Sequence, residues 1–360
     1  MLEIFEVGPC ENGYEMGFSI GKRFCNEIRS RLSKDLILQT QLLPFSHSSE
    51  SQTLIKSLMN NNRKKFPNYW DEMLGTAHGS GVPLLYVMLI NFRKEILPFL
   101  PKTGANCEIE EVSEDCSDIL VVNDKMAIAA HNEDANVALV DHTYLVKATM
   151  SNGLSFVGYT YAGELPSCAF GFNNYGLAFT LNSVPPSETE IVAGGIGRNF
   201  ISRDLLEATS IDDALNRIHS SDVSVGHSYN LTDTRSRKIL NVETASRNRV
   251  SVHHIGISPF FHANMYLHLG VDQVHDDNSI TRQHRANLLP KESKEDFLSL
   301  LGDMEDKKYP IYMTGPTLHT LCTAVIDLDD QTLSIIEGNP KNGKVSYVFS
   351  ITATQLKISP

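Results

Sequence analysis

The apolar positions of the first hundred residues follow a helical period. One helix face is marked by Ile20, Phe24, Ile28 and Leu32. A similar spacing continues over residues 51–66, and Pro67 stands where proline suits the first turn of another helix. A Gly/Pro-rich break at residues 79–83 precedes a further short helix. The pattern therefore predicts helices over most of residues 13–100.

From Cys116 onward the apolar pattern changes to a period of two, which is typical of half-buried strands. Turn residues separate the runs, as Asn123-Asp124 and Asn152-Gly153 do in two predicted hairpins. The predicted strands are 119–122, 126–130, 143–150, 154–161, 170–173, 177–181, 238–243, 249–255, 322–328, 332–337 and 345–351. Two helices are expected, near residues 205–206 and over 210–218, the second capped by Ser210. Sheets covered by helices predict a layered α+β fold.

An acidic stretch separates the helical part from the strands. Residues 99–115 contain Pro101, Gly104 and five carboxylates, which indicates an exposed linker. We therefore divide the chain into a helical N-terminal segment, residues 1–115, and a sheet-forming region, residues 116–360.

The composition excludes several classes of function. The 360 residues carry a net charge of -12, which argues against binding to nucleic-acid phosphates or to anionic membranes. The chain shows neither a signal-peptide pattern nor an apolar run of membrane-spanning length, so a cytoplasmic location is expected. Six dispersed cysteines fit reduced thiols, and no His/Cys spacing resembles a zinc site. We expect no metal and no cofactor.

Cys116 is the main candidate for a catalytic residue. It heads the first predicted strand directly after the acidic linker. A cysteine at such a place is most often a small core hydrophobe. The alternative is a nucleophile, because Asp134 follows 18 positions later and a hairpin would bring Asn132 and Asp134 back beside the thiol.

Other polar positions could join this thiol, although each also has a plain structural explanation. Asn132 and Asp134 could form a turn, Asn182 could simply end a strand, and Asn264 could be a loop amide. Arg282 and Arg285 lie one helical turn apart, and such pairs mostly form surface salt bridges.

In this order, the motifs resemble those of the isopenicillin N acyltransferase family of N-terminal-nucleophile hydrolases, which includes N-β-alanyl dopamine hydrolase-like proteins. The resemblance runs along nearly the whole chain. Its parts are Glu6-Val7-Gly8, Tyr14-Glu15-Met16-Gly17, Gly75-Thr76-Ala77-His78-Gly79, Asn91-Phe92-Arg93, Cys116-Ser117-Asp118, Asn132-Glu133-Asp134, Gly163-Glu164-Leu165-Pro166 and Gly171-Phe172-Asn173, followed by Asn182, Asn264 and Arg282.

The resemblance implies a four-layer αββα sandwich of two antiparallel sheets. It also implies that the precursor cuts its own backbone before the nucleophile, here the Asp115–Cys116 bond, into α and β chains that stay associated. Fungal members usually carry glycine before the cysteine, so Asp115 is a departure that bears on cleavage efficiency. Ser117-Asp118 replaces a commoner threonine-containing dipeptide.

Cleavage would give Cys116 a free α-amine, whose pKa of about 7.7–8.0 suits a base beside a thiol. By resemblance, Asp134 would orient this amine, Asn182 would donate to the tetrahedral oxyanion, and Asn264 would position the amine or the substrate. Arg282 would favour the thiolate by its charge. Ser117, Asp118 and Asn132 are supporting candidates.

These roles predict an amidohydrolase that forms an acyl-enzyme on Cys116 with a small N-acyl compound. Acyl transfer to an amine, from an amide or from acyl-CoA as co-substrate, is the alternative. The acidic charge would favour cationic amines. A non-catalytic homologue that stays uncut and serves as a binding module is a further alternative, and a thiol peptidase acting on other proteins ranks below it.

Overall fold

The computed structural model describes residues 2–101 and 115–352. The α-helices of these residues are α1 (Gly13–Arg23), α2 (Cys25–Lys34), α3 (Leu43–Ser46), α4 (Gln52–Lys65), α5 (Pro67–Ser80), α6 (Leu84–Asn91), α7 (Arg93–Ile96), α8 (Arg198–Leu205), α9 (Ile211–His219), α10 (Asp277–Asn287) and α11 (Lys294–Leu301). The predicted linker lies largely outside the described residues, and only its two ends can be placed.

The strands form two sheets within the described residues. They are β1 (Glu3–Cys10), β2 (Asp115–Val122), β3 (Ala127–Asn136), β4 (Thr143–Met150), β5 (Ser155–Tyr161), β6 (Phe170–Asn173), β7 (Leu177–Asn182), β8 (His227–Asp233), β9 (Lys238–Ala245), β10 (Arg249–His254), β11 (Phe260–His262), β12 (Leu318–Asp327), β13 (Thr332–Glu337) and β14 (Lys344–Ser350). The large sheet has the order β1-β4-β5-β6-β7-β8-β9-β10, and the small sheet has the order β11-β2-β3-β12-β13-β14.

Three apolar clusters separate four layers. The N-terminal helices, with α8 and α9, pack on one face of the large sheet, where the Phe24 ring lies against that of Tyr144. A second cluster fills the space between the two sheets and includes Leu120 and Phe170. A third holds α11 against the small sheet through Phe297. The predicted αββα sandwich is therefore confirmed.

The first layer is assembled by an unusually close approach of α1 and α5. A Cβ atom on Gly17 would lie 1.9 Å from the carbonyl oxygen of Glu72, and one on Gly75 would lie 2.2 Å from that of Tyr14. Only glycine fits where two helix backbones touch in this way. The glycine spacing in both sequence motifs is thus explained by helix packing.

The structure departs from the predicted pattern at the front of the chain. Residues 3–10 form β1, which pairs in parallel with β4, so the large sheet is mixed rather than purely antiparallel. Intervening helices supply the long connection that a parallel pair requires. Because β1 belongs to the large sheet, the N-terminal segment and the rest of the chain share one core.

Several predicted bounds are corrected. Asn132 and Asp134 are not a turn, because β3 continues through them to Asn136. Asp115 is not exposed linker but the buried first residue of β2. The helix expected at residues 205–206 ends there and begins at Arg198. Strand β8 and helix α11 were not among the predicted elements.

Candidate active site

The hairpin of β2 and β3 brings the candidate thiol next to acidic side chains. Cys116 pairs with Glu133 across the hairpin, and Asp115 pairs with Asp134. Side chains alternate between the two faces of a strand. Cys116 and Asp118 accordingly turn towards the space between the sheets.

Both backbone polar groups of Cys116 are held by distant side chains. Its amide nitrogen donates to Oδ1 of Asn264 at 2.9 Å, and its carbonyl oxygen accepts from Nη1 of Arg282 at 2.6 Å. Asn264 and Arg282 are also joined directly at 2.9 Å. The Nδ2 atom of Asn264 donates to the carbonyl oxygen of Ser183. The peptide on the C-terminal side of the predicted cleavage bond is thus rigidly fixed.

Arg282 is fully buried, whereas its neighbour Arg285 forms an ordinary surface pair. The guanidinium of Arg282 also donates to Oγ of Ser117 at 3.0 Å and lies 3.6 Å from Asp115. Arg285 instead binds the carboxylate of Asp303 near the surface. Arg285 thus forms the surface salt bridge expected of such a pair, whereas Arg282 lies inside the candidate site.

Asp134 lies beside this cluster with one carboxylate oxygen unsatisfied. Its Oδ1 accepts from the hydroxyl of Thr320, while its Oδ2 is buried without a hydrogen-bond partner. Burial raises the pKa of Asp134 to about 7, although the charge of Arg282 acts in the opposite direction. The site thus holds a buried acceptor close to the Cys116 backbone.

Asn182 lies in the same space between the sheets, fixed by Asp118. Its Nδ2 donates to Oδ2 of Asp118 at 2.6 Å, and its Oδ1 accepts from Nδ2 of Asn230 at 3.0 Å. Asp118 also accepts from the hydroxyl of Thr180. One N–H of Asn182 is therefore committed to Asp118, and the second remains for another acceptor.

The supporting candidate Asn132 points away from the thiol. It donates to the carbonyl oxygens of Leu301 and Ile311 and accepts from Thr323. These bonds tie β3 to the outer layer, so its contacts are structural. Ser117 contacts Arg282, and Asp118 anchors Asn182, as the preceding contacts show.

Sequence reasoning missed the residues closest to the sulfur. Sγ of Cys116 lies 3.7 Å from Oε2 of Glu133, which accepts from Nε2 of His131 at 3.0 Å. The other ring nitrogen of His131 lies 2.9 Å from Asp118, and the Tyr161 hydroxyl donates to Glu133. Glu133 belongs to the Asn132-Glu133-Asp134 motif and His131 directly precedes it, but neither was a predicted site residue, because the local sequence does not reveal their partners.

These charges determine the protonation states around Cys116. Burial raises the pKa of the thiol well above its ordinary value, and the carboxylates of Glu133, Asp118, Asp134 and Asp115 add to this. The shift is opposite to the one expected from Arg282, whose guanidinium contacts the carbonyl oxygen rather than the sulfur.

The imidazole of His131 is stabilised as a cation between two carboxylates. Burial alone would lower its pKa, but the charge of Asp118 and the hydrogen bonds to Asp118 and Glu133 outweigh it and raise the pKa to about 10. The ligand atoms of Cys116, His131 and Glu133 lie within 4.8 Å of one another, so a metal ion could reach all three. Here the imidazole already bridges the two carboxylates, and this arrangement suits proton handling.

The burial of Cys116 does not make it an ordinary core residue. Its side chain is only 4% exposed. However, its surroundings are polar: a buried network continues from Asn182 through Asn230 to Asn241. A thiol that merely filled a core would be surrounded by apolar groups.

A cavity of about 820 Å³ lies next to the site, beside Ser183. Ser183, which follows Asn182 and binds Asn264, lies in its wall. Apolar side chains such as Phe45, Leu97 and Val184 line it. Its charged lining residues are Glu50, Lys94, Glu188 and Arg198. Cys116 itself does not line this cavity in the uncut chain.

The remaining sequence expectations concern thiols and membranes. In the described ranges Cys10, Cys25, Cys116, Cys168 and Cys322 form no disulfide, which agrees with the expected reduced thiols, while Cys107 lies outside the described residues. No helix within the described ranges has both the length and the apolarity that a membrane span needs. The expected cytoplasmic location stays a prediction.

Known proteins similar in sequence to this chain are acyltransferases and hydrolases. A profile of the family described as acyl-coenzyme A:6-aminopenicillanic acid acyl-transferase matches residues 121–342, more than half of the chain. The chain is 26% identical over 357 residues to beta-alanyl-dopamine/carcinine hydrolase of Drosophila melanogaster, with 91% of each protein covered.

Solved structures similar to this chain include the Caenorhabditis elegans ortholog of N-acylethanolamine-hydrolyzing acid amidase. That match has a TM-score of 0.41 at 13% identity and covers 59% of this chain and 93% of the other. Penicillin V acylase from Agrobacterium tumefaciens matches with a TM-score of 0.37 at 15% identity, covering 62% of this chain and 83% of the other.

Proposed function

The chain belongs to the acyl-coenzyme A:6-aminopenicillanic acid acyl-transferase family, and we propose that it is an N-terminal cysteine amidohydrolase for small N-acyl amines. It is an enzyme of hydrolase or acyltransferase chemistry, as the family and the fly relative are. The proposal adds the nucleophile, the cleavage that matures it and the class of substrate.

The observation that carries this proposal is the double clamp on the Cys116 backbone. Asn264 binds its nitrogen and Arg282 binds its carbonyl oxygen, and both residues lie more than a hundred positions away in the chain. A core residue of a strand usually has these two groups satisfied by the backbone of a neighbouring strand rather than by buried side chains. The clamp suits a nucleophile whose own nitrogen takes part in the chemistry.

Cleavage of the Asp115–Cys116 bond would create the base for turnover. In the uncut chain the amide nitrogen of Cys116 has one hydrogen, which it donates to Asn264. A freed α-ammonium has three hydrogens and needs more acceptors. The unsatisfied Oδ2 of Asp134, which sits opposite Asp115 in the hairpin, is a buried acceptor suited to it. After deprotonation the amine can take the thiol proton.

The acyl-enzyme would form on Sγ, with the oxyanion held by Asn182. Asp118 fixes one N–H of the Asn182 amide, which leaves the second to stabilise developing charge. Water then releases the acid and restores the thiol. An oxyanion donor of this kind is worth roughly a hundred- to thousandfold in rate.

The cavity beside Ser183 is the proposed substrate pocket. Its volume falls within the usual range for small-molecule sites. In the uncut chain Cys116 is buried and does not line this cavity. We propose that the new chain end at Asp115 withdraws after cleavage and opens a path from the cavity to the sulfur.

The substrate class follows from the pocket and from the relative. The apolar walls suit a ring, and the four charged groups, two acidic (Glu50 and Glu188) and two basic (Lys94 and Arg198), can contact polar ends of a small molecule. The fly relative is named for beta-alanyl-dopamine and carcinine. β-Alanyl amides of aromatic or imidazole amines are therefore the first compounds to test.

The test is a hydrolysis assay on wild-type protein and the Cys116→Ala variant. Wild type should release free acid and amine from at least one such amide, and the variant should lose both self-cleavage and turnover. Cys168→Ala, which changes a half-buried thiol elsewhere, is the control and should retain activity. Hydrolysis by the Cys116→Ala variant would show that the nucleophile is assigned wrongly.

Acyl transfer is the second candidate, favoured by the name of the family. It requires an amine, rather than water, to resolve the acyl-enzyme, with an amide or acyl-CoA as donor. Mass spectrometry of reactions with and without an amine panel separates the two. New amide formed in excess of free acid would favour the transferase; free acid alone favours the hydrolase.

A further inference from the structure

The uncut chain poses a problem that the mature enzyme does not have. The α-amine proposed as the base of turnover exists only after cleavage. Before that, the nitrogen of Cys116 is an amide that donates to Asn264 and cannot accept a proton. A thiol that attacks the Asp115 carbonyl must lose its proton to another group.

Glu133 is placed to take that proton. Its Oε2 accepts the hydrogen bond of the Cys116 thiol, with 3.7 Å between the two atoms. The pair is enclosed, since Cys116 is 4% and Glu133 2% exposed. Because the two residues pair directly across the hairpin, the contact is set by the strand register.

The carboxylate of Glu133 is also held in place by hydrogen bonds. Tyr161 donates to its Oε1, and Nε2 of His131 donates to its Oε2. Asp118 fixes the far side of the His131 ring. These contacts hold Oε2 of Glu133 where it meets the thiol.

We propose that Glu133 is the general base of self-cleavage. This rests on the proposed function, because it assumes that the Asp115–Cys116 bond is cut by the Cys116 thiol. The thiol proton passes to Oε2 of Glu133 while Sγ bonds to the carbonyl carbon of Asp115. The C–N bond then breaks as the Cys116 nitrogen receives the proton from Glu133, which leaves a thioester and a free amine.

Water completes the reaction. Its oxygen bonds to the Asp115 carbonyl carbon, the C–S bond breaks, and the sulfur regains a proton. The products are a carboxyl group on Asp115 and an N-terminal Cys116 with its thiol restored. From then on the α-amine of Cys116 itself can accept the thiol proton. Glu133 is therefore needed mainly as the base of the cleavage step.

The experiment measures self-cleavage of the full chain over time by denaturing gel and intact mass. Glu133→Gln preserves the shape but removes the base, and its cleavage should be about 100-fold slower or more, as expected when a general base is lost. Glu72→Gln is the matched control, because Glu72 is equally buried and pairs with Arg203 away from the thiol. It should cleave within a few-fold of wild type.

Chemical rescue distinguishes a base from a structural carboxylate. Glu133→Ala leaves space for formate, and added formate should accelerate its cleavage in proportion to concentration. Glu133→Asp keeps the charge and is the variant to use if the others fail to fold. It should cleave more slowly than wild type and, where Glu133→Gln folds, faster than Glu133→Gln.

Each outcome decides the proposal. The proposal is overturned if Glu133→Gln cleaves at the wild-type rate, or if Glu133→Asp does so in the case that Glu133→Gln does not fold. It is also overturned if Glu133→Ala cleaves slowly and added formate does not change its rate. If wild type itself is never cut between Asp115 and Cys116, the proposed function fails first, and Glu133 with it.

Discussion

Arg282 offers the sharpest test of the active-site geometry. The change is Arg282→Met, which keeps most of the apolar stem of the side chain and removes its charge. It is made in a Cys116→Ala background, so that every sample is one uncut chain and unfolding is not complicated by cleavage.

The expected loss follows from what the guanidinium contacts. It is fully buried, binds the Cys116 carbonyl and Asn264, and lies 3.6 Å from Asp115. Removing one partner from a buried charge cluster leaves carboxylates uncompensated, which costs about 3–5 kcal/mol. Arg285→Met removes a partly exposed pair with Asp303 and should cost about 1 kcal/mol or less.

The assay is urea unfolding of the two variants and their parent, followed by circular dichroism. A domain typically has about 5–15 kcal/mol of stability, so both variants should fold at low denaturant. Arg282→Met with Cys116 restored should also fail to cleave itself. Equal, small losses for the two arginines, together with normal cleavage, would refute this reasoning.

Two further predictions address neighbouring residues. Asn182→Ala should still be processed but should turn over substrate about 100 to 1000 times more slowly, with most of the loss in kcat; full activity in steady-state kinetics would remove it from the oxyanion role. The raised pKa of Asp134, about 7 against an ordinary 3.8, means that its protonated form is favoured by folding. Its contribution to stability is therefore complete below about pH 4 and is lost as pH rises through 7. Asp134→Asn in the Cys116→Ala background should thus unfold at higher urea than its parent at about pH 8 but not at about pH 4, and a difference of the opposite sign would contradict the assignment.

The hairpin that carries Cys116 could be predicted because its signals are local. The short apolar runs at 119–122 and 126–130, with the Asn123-Asp124 turn between them, predict β2 and β3 without knowledge of other elements. Helix α9 was predicted from its cap for the same reason, and the Ser210 side chain does accept from Asp213.

The polar ends of the strands could not be predicted in this way. Asn132 and Asp134 resemble turn residues, but in the fold they bind Thr323 and Thr320, nearly two hundred positions away. Strand β8 was missed because Ser228 and Asn230 interrupt its apolar pattern. They are buried nonetheless, since Asn241 on the adjacent strand donates to both.

The charged contacts of the thiol needed the structure as well. Glu133 stands in the Asn132-Glu133-Asp134 motif and His131 directly before it, yet Tyr161 and Asp118, which hold them, lie in other parts of the chain. Sequence alone placed the thiol correctly at the head of a strand. It did not reveal the buried carboxylate of Glu133, which we propose as the base of self-cleavage.

The most direct test of the account is the N-terminal sequence of the purified protein's chains. The account predicts two chains of roughly 13 and 27 kDa, in proportion to 40.0 kDa in total, with the larger beginning Cys116-Ser117-Asp118. A fully active protein that remains a single chain, or one cut at a different bond, would contradict it.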